Sequence, residues 1–300
     1  MEVNLDLTSG IQPLGNHHTP PKQKYVAELM GLWIFTLCCW TIYRFISQFY
    51  FEPFGGVKFY LGSALFMPII WLTPIFVYWK FVRKQITTPV QFFPKNFPKK
   101  PFVFIGLLFG ITITMAELIL YFLRDLAMFN SGLYGSSELE LEWFPFTDSW
   151  PHYLIMVLTN LLIVAIIEEF VFRGFLQNQF ERVLSKWQSL ALATTLFGLS
   201  HLPIAIIVYQ IEGVWLVYNL IQWIGMGLVL GYAYQVFRNI WLCIFSHGLW
   251  NVMLGTFTWR YVGVEKSPSE NVQFAMGTLS LIFIIITMML LIYSSRKKLY

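Results

Sequence analysis

The chain reads IEEFVFRG at residues 167–174, where two adjacent glutamates and an arginine end an apolar run that begins at Tyr153. Charged side chains inside a hydrocarbon-length segment are costly, so they usually pair, face a cavity or serve a function. If this run crosses a membrane, other membrane segments are expected to bring polar side chains to the same depth.

The composition is that of a membrane protein. Of 300 residues, 57% are hydrophobic and 12% are charged, whereas soluble domains carry about 25% charged residues. The cysteines, Cys38, Cys39 and Cys243, lie in apolar runs, so the sequence predicts neither a disulfide framework nor a cysteine-based metal site. No nucleic-acid partner is predicted.

Eight apolar stretches are long enough to cross a bilayer, which takes about 20 helical residues. They are residues 26–47, 59–80, 102–123, 153–177, 188–208, 214–236, 240–259 and 272–294. We therefore predict an all-α polytopic membrane protein with about eight transmembrane helices. The polar, proline-containing segment 1–24 is predicted to be a disordered tail, because it lacks the apolar stretch of a signal peptide.

The distribution of lysine and arginine predicts the orientation. Eight spans put both termini on one side, and the segments on that side hold 15 of these residues. The opposite segments hold 4, and Arg44 lies within the first span. The positive-inside rule therefore places both termini in the cytoplasm, and we expect a bacterial plasma membrane.

One pair of charges is predicted among the early spans. Arg44 lies near the outer end of the first span, and Glu117 lies in the outer half of the third. Because buried membrane charges usually pair, we predict a structural ion pair between them in preference to a contact with substrate.

A second group of polar side chains lies on the fourth, fifth and seventh spans. Its members are Glu168, Glu169, Arg173, His201, His247 and Asn251. Counted from the inner ends of their spans, the first glutamate, both histidines and the asparagine lie about 10–20 Å from the cytoplasmic edge. Residues from three spans are therefore predicted to share one layer of the membrane.

Helical spacing predicts how these side chains are divided. Glu169 and Arg173 are four residues apart, as are His247 and Asn251, so the members of each pair share a helix face. Glu168 precedes Arg173 by five residues, about 140° around the helix. We predict that Glu169 pairs with Arg173 and that Glu168 faces the cavity; the reverse assignment stays open.

A carboxylate and two imidazoles around one wet pocket fit two mechanisms. The glutamate can act as general base on a water molecule while histidine and asparagine stabilise an oxyanion. Alternatively, the same groups can bind a divalent metal that activates the water. The His-Glu-x-x-His motif of zinc proteases is absent. Ser200 and Ser246 adjoin histidines, but adjacent helical residues diverge by about 100°, which disfavours a serine nucleophile.

Three motifs together resemble the signature of a known family. They are Glu168-Glu169-x-x-x-Arg173, Phe197-x-x-x-His201 and His247-x-x-x-Asn251. In this order, on successive predicted helices, they are similar to those of the CPBP family. This family, also called ABI, comprises CAAX endopeptidases and bacteriocin-processing intramembrane proteases.

The resemblance covers about residues 150–260 and implies a four-helix catalytic core. It divides the chain into a cytoplasmic tail (1–24), N-terminal helices and loops (25–150), a protease core (151–260) and a last helix with a basic tail (261–300).

The resemblance implies an intramembrane endopeptidase. By motif position, Glu168 would be the general base that activates water, and His201 would help to hold that water. His247 and Asn251 would stabilise the oxyanion, and the other charged residues of the first motif would shape the site.

Cofactor and substrate are less defined by the resemblance. No cofactor is certain; if zinc takes part, Glu168, His201 and His247 would bind it. The implied partners are the lipid bilayer and a peptide or protein substrate. CAAX processing of a lipidated protein, bacteriocin maturation and self-immunity are all compatible with the motifs.

Two other functions are considered. A proton- or ion-coupled transporter also uses glutamate, histidine and arginine at mid-membrane, but the two halves of the chain share no motif. A non-catalytic immunity scaffold would have the same fold, although the complete motif set argues against it.

Gly225, Gly227 and Gly231 of the sixth span predict close helix packing.

Overall fold

A computed structural model describes residues 21–50, 57–82, 130, 138–143 and 149–262. In these ranges five helices are long and apolar enough to cross a membrane, and a sixth apolar helix is shorter. They are α1 (Lys22–Tyr50), α2 (Val57–Val77, extended by the π-helical segment Tyr78–Val82), α3 (Trp150–Glu181), α4 (Lys186–Val208), α5 (Gly213–Phe237) and α6 (Ile240–Thr256). The predicted all-α polytopic fold is confirmed. The predicted spans 102–123 and 272–294 lie outside the described residues, so the total of eight stays a prediction.

A short antiparallel ribbon accompanies the helices. Strand β1 (Glu138–Trp143) pairs with β2 (Phe257–Val262), which follows the end of α6 directly. The predicted seventh span, 240–259, is therefore wrong in its last residues, which belong to a segment rich in aromatic and β-branched strand formers. The ribbon connects the chain ahead of α3 to the end of α6.

Apolar side chains cover the outside of the first two helices. Phe35, Phe49 and Leu65 are 59%, 68% and 60% exposed. Contiguous apolar surface of this kind is rare on soluble monomers and marks an interaction site, here the membrane. The chain is an integral membrane protein.

Short connections with local caps join the later helices. A capping box between Ser185 and Gln188 begins α4, which satisfies backbone N–H groups that have no partner within the helix. Arg238 ends α5 in the left-handed conformation, with φ of 48°. The Asn239 side chain then accepts from the N–H of Trp241 at 3.0 Å. These caps lie in the connections from α3 to α4 and from α5 to α6.

Helix α3 alternates between two helical forms. Its α-helical parts are Trp150–Thr159, Ala165–Glu169 and Asn178–Glu181, separated by the π-helical segments Asn160–Val164 and Phe170–Gln177. π-Helical segments occur frequently at functional sites. The adjacent glutamates lie at the end of the short central part, between two wider turns that the sequence analysis did not predict.

Helix α4 is interrupted where a continuous helix was predicted. Its α-helical part, Lys186–Leu199, gives way to a turn at 200–201, and the π-helical segment Ile204–Val208 follows. Pro203 accounts for the break, because it has no N–H to donate to the preceding turn. His201 lies in the break.

Helices α4 and α5 approach each other closely. A Cβ atom at Gly227 would lie 2.9 Å from Cδ1 of Phe197, and one at Gly231 would lie 2.6 Å from Cδ1 of Leu190. The predicted role of these two glycines in close packing is confirmed. The approach also brings backbone carbonyls of α5 within reach of polar side chains on α3.

Candidate active site

A cavity of about 740 Å³ lies among the six helices, each of which contributes lining residues. The four predicted catalytic residues, Glu168, His201, His247 and Asn251, all line it. Sequence reasoning placed these groups at one depth, and the structure brings them to one cavity. Their catalytic roles stay predictions.

Glu169 is the buried centre of the charged network behind the cavity. It is fully buried, and its Oε1 accepts hydrogen bonds from Nη1 of Arg173 and Nδ1 of His247, both at 2.8 Å. Arg173, 2% exposed, also donates from Nη2 to the carbonyl oxygen of Gly227 at 2.9 Å. Through these hydrogen bonds, Glu169 and Arg173 link α3 to α6 and to α5. The hydrogen bond from His247 was not predicted, because it joins residues 78 positions apart.

Glu168 faces the cavity while its neighbour faces Arg173. Its Oε2 lies 3.5 Å from Nε2 of His247 and 3.9 Å from Nε2 of His201. This buried oxygen has no hydrogen-bond partner among the described residues. Because buried acceptors are generally satisfied, the position suits a bound water or a ligand.

His201 is oriented by the turn that interrupts α4. Its Nδ1 lies 2.9 Å from the carbonyl oxygen of Phe197, and because a carbonyl only accepts, Nδ1 carries the proton. The lone pair of the neutral ring is then on Nε2, which is turned toward Glu168. The ring stacks on the indole of Trp223, with centroids 5.0 Å apart and planes inclined by 20°.

Ser200 is not arranged as a nucleophile. Its hydroxyl donates to the carbonyl oxygen of Phe197 at 2.6 Å, and its oxygen is 3.5 Å from Nδ1 of His201. Since that nitrogen itself faces the same carbonyl, it cannot serve as a base for the hydroxyl.

His247 lies between two carboxylates. Its Nδ1 donates to Glu169 and its Nε2 faces Glu168. Asn251 follows one turn later on α6 and is partly exposed to the cavity. The predicted shared face of these two α6 residues is confirmed by their common position on the lining.

Trp223 and Arg44 are among the cavity residues that were not assigned to it from the sequence. Trp223 gave no sequence signal, because it is one of several aromatic residues in an apolar span. Arg44 did give a signal, as the single basic residue in the first span, but it was assigned to a pair with Glu117. Glu117 lies outside the described residues, whereas Arg44 lines the cavity.

No group of three His, Cys, Asp or Glu side chains is arranged to hold a metal ion within the part of the chain that the structure describes. The zinc ligands implied by the resemblance, and the segment boundaries at residues 24, 150 and 260, stay predictions.

Comparison with known proteins gives one match. Residues 150–253, about a third of the chain, match the family model described as type II CAAX prenyl endopeptidase Rce1-like. No curated protein and no solved structure matches the chain. The matched range runs from the start of α3 into α6 and includes all three motifs. The match supports the predicted resemblance to the CPBP family and, at the level of the family, a CAAX-type intramembrane protease.

Proposed function

We propose that the chain hydrolyses a peptide bond of a membrane-associated protein or peptide with a water molecule activated by Glu168. The observation that supports this most directly is Oε2 of Glu168, which is buried at the cavity without a hydrogen-bond partner among the described residues. Two imidazole nitrogens lie 3.5 and 3.9 Å from it. A general base needs such a position, within reach of a water molecule and shielded from bulk solvent.

In the proposed first step, the Glu168 carboxylate removes a proton from the water while the water oxygen attacks the carbonyl carbon of the substrate. The neutral His201 ring presents its Nε2 lone pair toward Glu168, so it can accept the second hydrogen of this water. The Phe197 carbonyl and the Trp223 ring hold that imidazole in orientation.

The attack creates a tetrahedral oxyanion, for which His247 and Asn251 are the proposed donors. Because Nδ1 of His247 donates to Glu169, the ring must carry a second proton to donate from Nε2. The C–N bond then breaks, and Glu168 returns its proton to the leaving amine.

Activation of the same water by a divalent metal such as zinc is the second proposal for this step. Each imidazole turns Nε2 toward Glu168 while Nδ1 is held by an oxygen acceptor, an orientation shared with metal-ligating histidines. Glu168, His201 and His247 would hold the ion, which would supply Lewis acidity to the water. Metal analysis of the purified protein, with activity measured after chelation, separates the two proposals.

The substrate class is proposed from the family match. A CAAX-type substrate, lipidated near its carboxyl terminus, is the candidate that this match supports. A bacteriocin precursor and an immunity target are further candidates, which the motif resemblance implies. We further propose that the site opens toward the cytoplasmic half of a bacterial plasma membrane and that both termini are cytoplasmic, as the charge distribution predicts.

Substrate discovery tests the proposed function. The membrane and secreted peptides of cells with the wild-type protein are compared with those of cells with Glu168→Ala at equal expression. The proposal expects cleavage products only with the wild type. Two results together would favour the non-catalytic immunity scaffold: identical peptides in the two kinds of cell, and immunity that is unchanged in cells with Glu168→Ala.

A further inference from the structure

The proposed mechanism leaves one charged group of the cavity unused. Arg44, on α1, lies outside the matched range 150–253 and lines the cavity together with Glu168. It is only 4% exposed. A buried arginine in a membrane segment is expected to have a counter-charge or a function.

The guanidinium is held in place but not saturated with hydrogen bonds. Nη2 donates to Oγ of Ser63 at 3.3 Å. The guanidinium carbon lies 4.1 Å from the ring centroid of Trp40 and 4.8 Å from that of Phe59. Nε and Nη1 are buried and have no hydrogen-bond partner among the described residues. The group is therefore a fixed cation with two unused donor nitrogens.

The unused donors identify the chemistry of the missing partner. A buried guanidinium needs an anionic acceptor, and a carboxylate is the peptide group that fits its donors best. No carboxylate of the described residues forms an ion pair with Arg44; Glu168 interacts with it electrostatically only. A substrate group that enters the cavity would find this cation on the same lining as Glu168.

The cavity has room for such a substrate. Its volume of about 740 Å³ is within the usual range for ligand pockets. Arg44 on α1 and the histidines on α4 and α6 line this same cavity. A peptide segment bound there could contact the cation with one group while another faces Glu168.

We propose that Arg44 is a substrate-specificity residue that binds a carboxylate of the peptide substrate, either the free carboxyl terminus or an acidic side chain. This proposal rests on the proposed function, since it names the substrate of the same site. It assigns to α1 a part in substrate selection that the matched core alone does not provide.

The test measures binding and not turnover, so it remains informative if cleavage is never observed. The protein carries Glu168→Gln and is placed in nanodiscs of phosphatidylcholine. Three probes are titrated: a short apolar peptide with a free carboxyl terminus, its terminal amide, and the amide with one internal glutamate. The comparison is repeated with Arg44→Gln, Arg44→Lys and the control Arg182→Gln, a basic residue that does not line the cavity.

At least one carboxylate probe is expected to bind about 10- to 100-fold more tightly than the neutral amide, as for hydrogen bonds to a charged group. The probe that shows the preference identifies the source of the carboxylate. Arg44→Gln should remove the preference, Arg44→Lys should keep part of it, and Arg182→Gln should keep all of it. Because the preference is measured first in protein with native Arg44, misfolding of a variant cannot hide the result.

Three outcomes would overturn the proposal. The first is equal binding of all probes when Arg44 is intact. The second is a preference that survives Arg44→Gln. The third is loss of the preference in phosphatidylglycerol nanodiscs, which would assign the cation to a lipid phosphate. If the probes bind equally to protein with native Glu117 and the carboxylate preference appears only with Glu117→Gln, then Glu117 forms the ion pair with Arg44 and the proposal is wrong.

Discussion

Replacement of Glu169 by glutamine is expected to destabilise the helical core strongly. The fully buried carboxylate accepts two charge-assisted hydrogen bonds at 2.8 Å, one from Arg173 and one from His247. A hydrogen bond to a charged group contributes about 1.5–3 kcal/mol, so two give about 3–6 kcal/mol. This agrees with the roughly 3–5 kcal/mol lost when a buried ion pair is broken. Glutamine has nearly the same shape, so the loss would report charge and not a cavity.

Thermal unfolding in detergent measures this effect. A loss of 3 kcal/mol or more should lower Tm by at least about 6 °C. The matched control is Glu181→Gln, which removes the 2.7 Å ion pair between the partly exposed Glu181 (14%) and Arg238 (28%). Glu181 also accepts from Nε2 of Gln235 at 3.1 Å, a bond that the oxygen of a glutamine can keep. Ion pairs of that kind contribute about 0–1 kcal/mol. If Glu169→Gln melts within the range of the control, the buried network does not hold the helices together.

Two other substitutions test the packing around the site. Gly227→Ala would place its Cβ 2.9 Å from Phe197 and should destabilise the protein by about 1–3 kcal/mol in thermal unfolding; Gly31→Ala, with no atom within 4 Å of its Cβ, should cause no loss. Trp223→Leu removes the ring stacked on His201 and should lower kcat/KM about 2- to 10-fold. Trp223→Phe should keep most of the activity, and equal activity of the leucine and phenylalanine variants would show that stacking is unimportant.

The facing of residues along one helix could be predicted from the sequence. The spacing of four between Glu169 and Arg173 agrees with their 2.8 Å ion pair, and His247 and Asn251 share a lining face. These inferences hold because they depend on the rise and rotation of a single helix. The common depth of the polar groups followed from the same geometry.

The contacts between helices could not be predicted in the same way. The hydrogen bond from His247 to Glu169 and the stacking of Trp223 on His201 depend on how separate helices rotate against each other. A hydropathy pattern contains no such information. The position of Arg44 at the cavity belongs to the same class of feature, because it depends on how α1 packs against the core.

The break in α4 could have been predicted from Pro203, but the span was assigned from its hydropathy alone. Pro203 stands two residues after His201, and a proline inside an apolar stretch does not lower its hydropathy enough to divide it. The π-helical segments of α3 had no comparable signal, since neither contains a proline.

The most direct test of the account is a comparison of peptide-bond cleavage by purified wild-type protein and Glu168→Gln, on a substrate found by the peptide comparison. Loss of a general base is expected to lower the cleavage rate by about 10²- to 10⁴-fold. The Tm is expected to stay close to that of the wild type, because Oε2 of Glu168 has no hydrogen-bond partner among the described residues. Cleavage by the folded variant at more than about a tenth of the wild-type rate would contradict the assignment of Glu168 as the base.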